Sequence, residues 1–147
     1  MGEMTMERFE PYAIEEGDGF EGLLMGEIKA GFPSPAEDIR EKLNLTDLLV
    51  RHKASTFFFR VDGVSMVDAG MDEGDVIIVD RALEPSNGCL AVCFLDGEFT
   101  VKRVSIGPEG VFLLPANAHN PKYRPIPVSP EDSFAVWGVV TYIIKKA

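Results

Sequence analysis

Basic charge is scarce in this chain: 14 lysines and arginines stand against 24 aspartates and glutamates, a net charge of -10. A free-standing nucleic-acid binder needs a basic face to neutralise phosphates, so the balance argues against direct nucleic-acid binding. An acidic protein can still act on DNA through a partner. Long apolar runs are also missing. No stretch approaches the roughly 18 residues of a membrane span, and no membrane attachment is expected. The opening residues, Met1-Gly-Glu-Met-Thr-Met-Glu-Arg8, lack a basic start followed by an apolar run. No signal peptide is expected, and the cytoplasm is the default location. Histidine is limited to His52 and His119, neither in a recognisable Ser-His-Asp context. Cysteine is limited to Cys89 and Cys93. Four residues apart on one strand they stand roughly 13 Å apart, beyond the ~7 Å Cα separation a disulfide allows. Two reduced thiols fit a reducing compartment. Together with the two histidines they match no standard zinc spacing, so neither a metal nor another cofactor is expected.

What is present divides into an arm and a domain. Residues 1–35 read as a flexible arm, acidic and broken by Gly17, Gly19, Gly22 and Gly26. Its scattered apolar residues could dock on a surface but would hardly fold alone. Pro33 and Pro35 block regular structure at its exit. Residues 36–147 read as the folded domain. A short helix is expected first, opened by Ser34 or Pro35, with Glu37 and Asp38 in the first turn where the helix dipole favours them. Ile39 and Leu43 are spaced i, i+4; Asn44 interrupts, and Leu45, Leu48 and Leu49 give a second apolar turn. From Ser55 onward short β-runs alternate with turns. Strands are expected near Thr56–Val61, Val76–Asp80, Cys89–Leu95, Glu98–Val104, Val111–Leu114 and Ala135–Ile144. Asp96-Gly97 between two apolar runs is a strong hairpin signal. The fold class is mostly β, an antiparallel, barrel-like domain with one short helix.

Two residues carry the candidate chemistry. Ser65 lies in Arg60-Val-Asp-Gly-Val-Ser-Met-Val-Asp-Ala-Gly70, between an apolar strand and a tight turn. Gly63 lets the backbone bend there. A serine so placed can project its hydroxyl and aim its own N–H at a developing oxyanion, with the N–H of Val64 as a second donor. Lys102 lies in Asp96-Gly-Glu-Phe-Thr-Val-Lys-Arg103. Strand alternation puts it on one face with Thr100 and Val104, while Val101 and Arg103 face the other way. Burial disfavours the charged ammonium, and a lysine pushed toward neutrality is a competent general base. Arg103 could not serve, because guanidinium keeps its proton. Considered alone, Ser65 reads as a helix cap and Lys102 as a surface strand lysine; their frames together point to a serine-lysine dyad. Upstream, Ala30-Gly31 precedes Phe32-Pro-Ser-Pro35. Small residues on both sides of one bond admit a nucleophile, and Gly31 tolerates a bent conformation. Asp72, Glu73 and Asp75 lack the full spacing of a calcium loop and read as a turn.

These elements, in this order, resemble the LexA/UmuD family of self-cleaving serine-lysine peptidases. The resemblance spans about Lys29 to Lys145. It rests on Ala30-Gly31-Phe-Pro-Ser-Pro, Gly63-Val-Ser-Met66, Gly70-Met-Asp-Glu-Gly-Asp75, Asp96-Gly-Glu-Phe-Thr-Val-Lys-Arg103 and Trp137-Gly-Val-Val140. It implies Ser65 as nucleophile, Lys102 as general base and Ala30-Gly31 as the bond cut. It further implies cleavage promoted by a RecA–single-stranded-DNA filament in the SOS response to DNA damage. The shortened product, as a homodimer, would join a Y-family polymerase of the UmuC type in error-prone translesion synthesis. A LexA- or phage-type repressor would carry a DNA-binding domain ahead of the bond. The thirty residues before Gly31 show no helix-turn-helix pattern. A signal peptidase, which also pairs Ser-Met with a lysine, would need a membrane anchor. The same fold with silent chemistry would leave a polymerase-binding module.

Overall fold

The apolar runs after Ser55 pair into one sheet. In chain order the elements are β1 (Tyr12–Ala13), β2 (Glu21–Leu24), β3 (Glu41–Asn44), α1 (Leu45–Leu49), β4 (Thr56–Arg60), β5 (Val76–Asp80), β6 (Leu90–Leu95), β7 (Glu98–Gly107), β8 (Gly110–Leu114), β9 (Ile126–Val128) and β10 (Phe134–Ile144). The computed structural model describes residues 12–13, 21–25, 27–33, 35 and 41–147. Eight strands form an antiparallel sheet in the order β1-β4-β5-β10-β6-β7-β8-β9. The mostly-β expectation holds. One unit gathers β1 with His52–Ala147; the other spans Glu15–Arg51. The boundary expected near residue 35 lies within that second unit.

Turn chemistry sets the registers. Asp96 (φ 48°) and Gly97 (φ 86°) both sit in the left-handed region, as a two-residue hairpin between β6 and β7 requires. The hairpin places Val92 opposite Val101, Cys93 opposite Thr100 and Ala91 opposite Lys102. Directly opposed residues share a face, so β6 is covered on both sides. Val92 joins a core with Phe59, Val61, Met66, Met71, Ile77 and Val79. Ala91 and Cys93 join a second core with Val104 and Leu113. Trp137 closes the first core from β10. Its ring meets Phe57, Phe59 and Phe99 edge-on, with centroids 5.2, 5.3 and 5.9 Å away. The Arg81 guanidinium lies 4.3 Å over it. Gly138 is obligatory here, because an added Cβ would stand 2.5 Å from Val79 Cγ1.

The second unit departs from the sequence reading. Leu43 lies in β3, opposite Gly22 of β2, and not in a helix. The helix starts only after Asn44, whose extended backbone ends the strand and whose side chain accepts the Asp47 N–H at 3.2 Å. Asn44 is thus the cap that opens α1 rather than a break within a longer helix. The arm also carries strands, β1 against β4 and β2 against β3. Acidic residues and glycines hid their alternation. Ser34, Ile39 and the acidic pair Glu37-Asp38 lie outside the described residues.

Candidate active site

Lys102 reaches Ser65 across 37 positions of sequence: its Nζ lies 2.9 Å from Ser65 Oγ. The same nitrogen is 3.0 Å from Thr100 Oγ1 and 3.1 Å from the Val101 carbonyl oxygen. Its surroundings are apolar. Ala91, Cys93 and Val104, all fully buried, occupy the face of the sheet that carries Lys102. No carboxylate among the described residues forms an ion pair with it. Burial therefore holds the Lys102 pKa below the ordinary 10.5. An ionised Cys93 would oppose that shift, but burial pushes its thiol up to about 12, so it stays neutral. The contacts suit a neutral amine. Its two N–H groups can serve Thr100 Oγ1 and the Val101 carbonyl, which leaves one lone pair for the Ser65 hydroxyl.

The serine is held by its neighbours. Gly63 takes φ 103°, which only glycine adopts easily, and turns the chain out of β4. Below Ser65, Met66 and Met71 are buried in the first core. Truncating either to alanine would cost about 2–5 kcal/mol. The turn ends in a 3-10 segment, Val67–Ala69, closed by Gly70 in the left-handed region. Behind it, the Gly74 N–H donates to the Val61 carbonyl and the Val61 N–H to the Asp75 carbonyl. Asp75 is buried and accepts from Asp72 N–H and from Lys145. The acidic stretch Asp72–Asp75 thus forms a turn, with its charge met by Lys145.

A third segment, absent from the sequence reading, completes the site. The Asn117 amide donates to the Val64 carbonyl at 2.9 Å, and the Ala116 N–H donates to the Ser65 carbonyl at 2.7 Å. In return, the Asp68 N–H donates to the Ala116 carbonyl and Asp68 Oδ2 accepts the Ala118 N–H, both at 2.7 Å. Among the described residues, no acceptor takes the N–H of Val64 or Ser65. Asn117 lies between Pro115 and Pro121 in a loop whose sequence names no partner 53 positions away. Thr100 was placed on the face of Lys102 by alternation, but its contact with Nζ follows only from the fold.

Ala30 and Gly31 belong to the Glu15–Arg51 unit, where both are exposed in a bend. His52 Nδ1 pairs with Asp80 Oδ2 at 2.6 Å, while Ser55 Oγ donates to Asp80 Oδ1 at 3.0 Å. Burial would push the Asp80 carboxyl up; hydrogen bonds from His52, the Ala82 N–H and Ser55 outweigh it and bring the pKa below the ordinary 3.8. In this cluster serine and histidine both contact the carboxylate, whereas a triad needs the serine on the histidine's other nitrogen. Cys89 and Cys93 are free thiols.

Residues 23–141 match the Peptidase S24-like family. The chain is 44% identical over 117 residues to Protein MucA of Salmonella typhimurium, covering 78% of this chain and 77% of that protein. It is 42% identical over 125 residues to Protein SamA of Salmonella typhimurium, 84% of each chain. It is 36% identical over 124 residues to the LexA repressor of Delftia acidovorans, covering 84% of this chain and 54% of the repressor.

Proposed function

This chain belongs to the Peptidase S24-like family, as a UmuD-type member of the LexA/UmuD kind, and we propose that it is a serine peptidase that cuts its own Ala30–Gly31 bond. The observation that carries the reading is the 2.9 Å contact between Ser65 Oγ and the Nζ of a half-buried Lys102. Neutral Lys102 takes the Ser65 proton, and Oγ attacks the Ala30 carbonyl carbon. The N–H groups of Ser65 and Val64 are the donors for the oxyanion. As the tetrahedral centre collapses, the Ala30–Gly31 bond breaks and Lys102 returns its proton to the departing Gly31 amine. Lys102, neutral again, then draws a proton from water, which attacks the Ala30 ester and frees Ser65. One water is consumed; Ala30 ends as a carboxylate and Gly31 as a new N-terminus. The arm, residues 1–35, thus carries the bond, and residues 36–147 carry the peptidase domain.

In this reading a RecA filament on single-stranded DNA promotes the cut during the SOS response. The shortened chain, a cytoplasmic homodimer, then serves a UmuC-type Y-family polymerase in translesion synthesis. The acidic charge favours such indirect action on DNA. A LexA-type repressor is the second reading, supported by the Delftia relative. The chain is 44% identical to MucA and 36% identical to that repressor, which favours the first.

Intact-mass spectrometry at alkaline pH, beside Ser65→Ala, tests the reaction. A fragment beginning at Gly31 from the unsubstituted chain alone is expected. Lys102→Ala should stop cleavage and Arg103→Ala should not, since Arg103 binds the Gly88 carbonyl instead. A chain that stays intact even with RecA, ATP and single-stranded DNA would leave the silent polymerase-binding module.

A further inference from the structure

Resting on the self-cleavage reading above, the geometry points to Asn117 as the residue that aims the oxyanion-binding N–H of Ser65. A peptide unit is planar and trans, so its C=O and N–H point in opposite directions. The unit joining Val64 to Ser65 carries the Val64 carbonyl at one end and the Ser65 N–H at the other. The Asn117 amide holds that carbonyl at 2.9 Å. Fixing one end of a rigid plate fixes the other, and the Ser65 N–H is left facing away from Asn117. The next unit is held in the same way, through the Ser65 carbonyl and the Ala116 N–H at 2.7 Å. Two successive plates around the nucleophile are therefore gripped from one side by one short segment.

The grip is itself braced. Asp68, three residues after Ser65, accepts the Ala118 N–H and donates its own N–H to the Ala116 carbonyl, both at 2.7 Å. The segment 116–118 can shift only if those bonds break too. Asn117 touches neither Lys102 nor, in this scheme, the scissile bond. It is a positioning residue, and its loss should act on the oxyanion and not on the base. Oxyanion donors tolerate little misplacement. Removing one outright costs about 10²–10³-fold, and letting one swing should cost about 10- to 10²-fold.

The test is the pH profile of first-order self-cleavage, followed by intact mass, for the unsubstituted chain, Asn117→Asp and Asn117→Ala. Asn117→Asp keeps the shape but removes the donor; Asn117→Ala removes the side chain without adding charge. Thermal melting identifies which variants stay folded. We expect the alkaline plateau to fall by about 10- to 10²-fold in a folded variant, with the pH midpoint unmoved, because Lys102 keeps its apolar surroundings. An unchanged plateau would overturn the assignment while leaving self-cleavage standing. So would a fall accompanied by a midpoint moving toward 10.5, which reports a loosened and hydrated lysine. An unsubstituted chain that stays intact under every activating condition would overturn both.

Discussion

Lys102 and Lys145 show how one side chain is put to two uses within one fold. Lys145, at the end of β10, lies 2.6 Å from Asp72 and contacts Asp75 as well. Hydrogen bonds to the two carboxylates, Asp72 first, raise its pKa above 10.5. Lys102, on the inner face of β7, has hydroxyl and carbonyl neighbours and an apolar shell; burial lowers its pKa. The difference lies in the partners. An ammonium facing carboxylates is a fixed strut, whereas one facing only neutral oxygens in a half-buried, largely apolar site releases its proton more easily. On the proposed mechanism, self-cleavage requires that the second lysine never acquire the partners of the first.

The most severe way to break this contrast is to give Lys102 a carboxylate. Thr100→Asp puts one where the threonine hydroxyl now stands, 3.0 Å from Nζ. An opposite charge that close moves a pKa by about 1–3 units. Below the lysine pKa, the cleavage rate should fall by about 10- to 10³-fold, and the pH midpoint should rise; intact-mass time courses across pH measure both. A rate equal to that of the unsubstituted chain would remove neutral Lys102 from the mechanism.

A smaller effect sharpens the contrast through stability. Because the folded pKa of Lys102 lies below 10.5, the unfolded chain binds more protons in the interval between them. Stability should therefore rise with pH across that interval and be lowest, on this account, below the folded pKa. Lys102→Met keeps the volume and cannot be charged. Its denaturation midpoint, relative to the unsubstituted chain, should lose that dependence; parallel pH profiles for the two would contradict a buried, shifted lysine.

Lys145→Ala should do least. Lys145 and Asp72 are exposed, and such surface pairs contribute little and are screened by salt; buried Asp75 keeps the Asp72 N–H when Lys145 is removed. The signs differ from those of Lys102. The lowered Asp75 pKa, set first by its hydrogen bond from Lys145, stabilises above 3.8 and is lost as pH falls through the folded value. The raised Lys145 pKa stabilises below 10.5 and is lost as pH climbs through its folded value. A melting-temperature drop of a few degrees at neutral pH, shrinking in about 1 M salt, is the expected result. Cleavage should be little changed.

The two lysines also mark what the sequence could disclose. Alternation over Glu98–Val104 put Lys102 on one face with Thr100 and Val104, and the fold does so. Asp96-Gly97 disclosed the hairpin because its backbone demand is local. The bend at Gly63 was legible for the same reason. The grip of Asn117 and Asp68, the His52–Asp80 pair and the Lys145 strut were not, since each joins residues 28 to 73 positions apart. Spacing records which way a side chain leaves the backbone, not which distant loop it meets. Asn44 was misread for a related reason. An asparagine in an apolar pattern looks like an interruption until the strand before it shows that it is a cap.

The most direct test is the pH dependence of the first-order self-cleavage rate, with Ser65→Ala as the blank. With Lys102 as base, the logarithm of the rate should climb with unit slope and level off at a midpoint below 10.5. A flat profile, or a midpoint at or above 10.5, would contradict a buried neutral lysine as the group that takes the Ser65 proton.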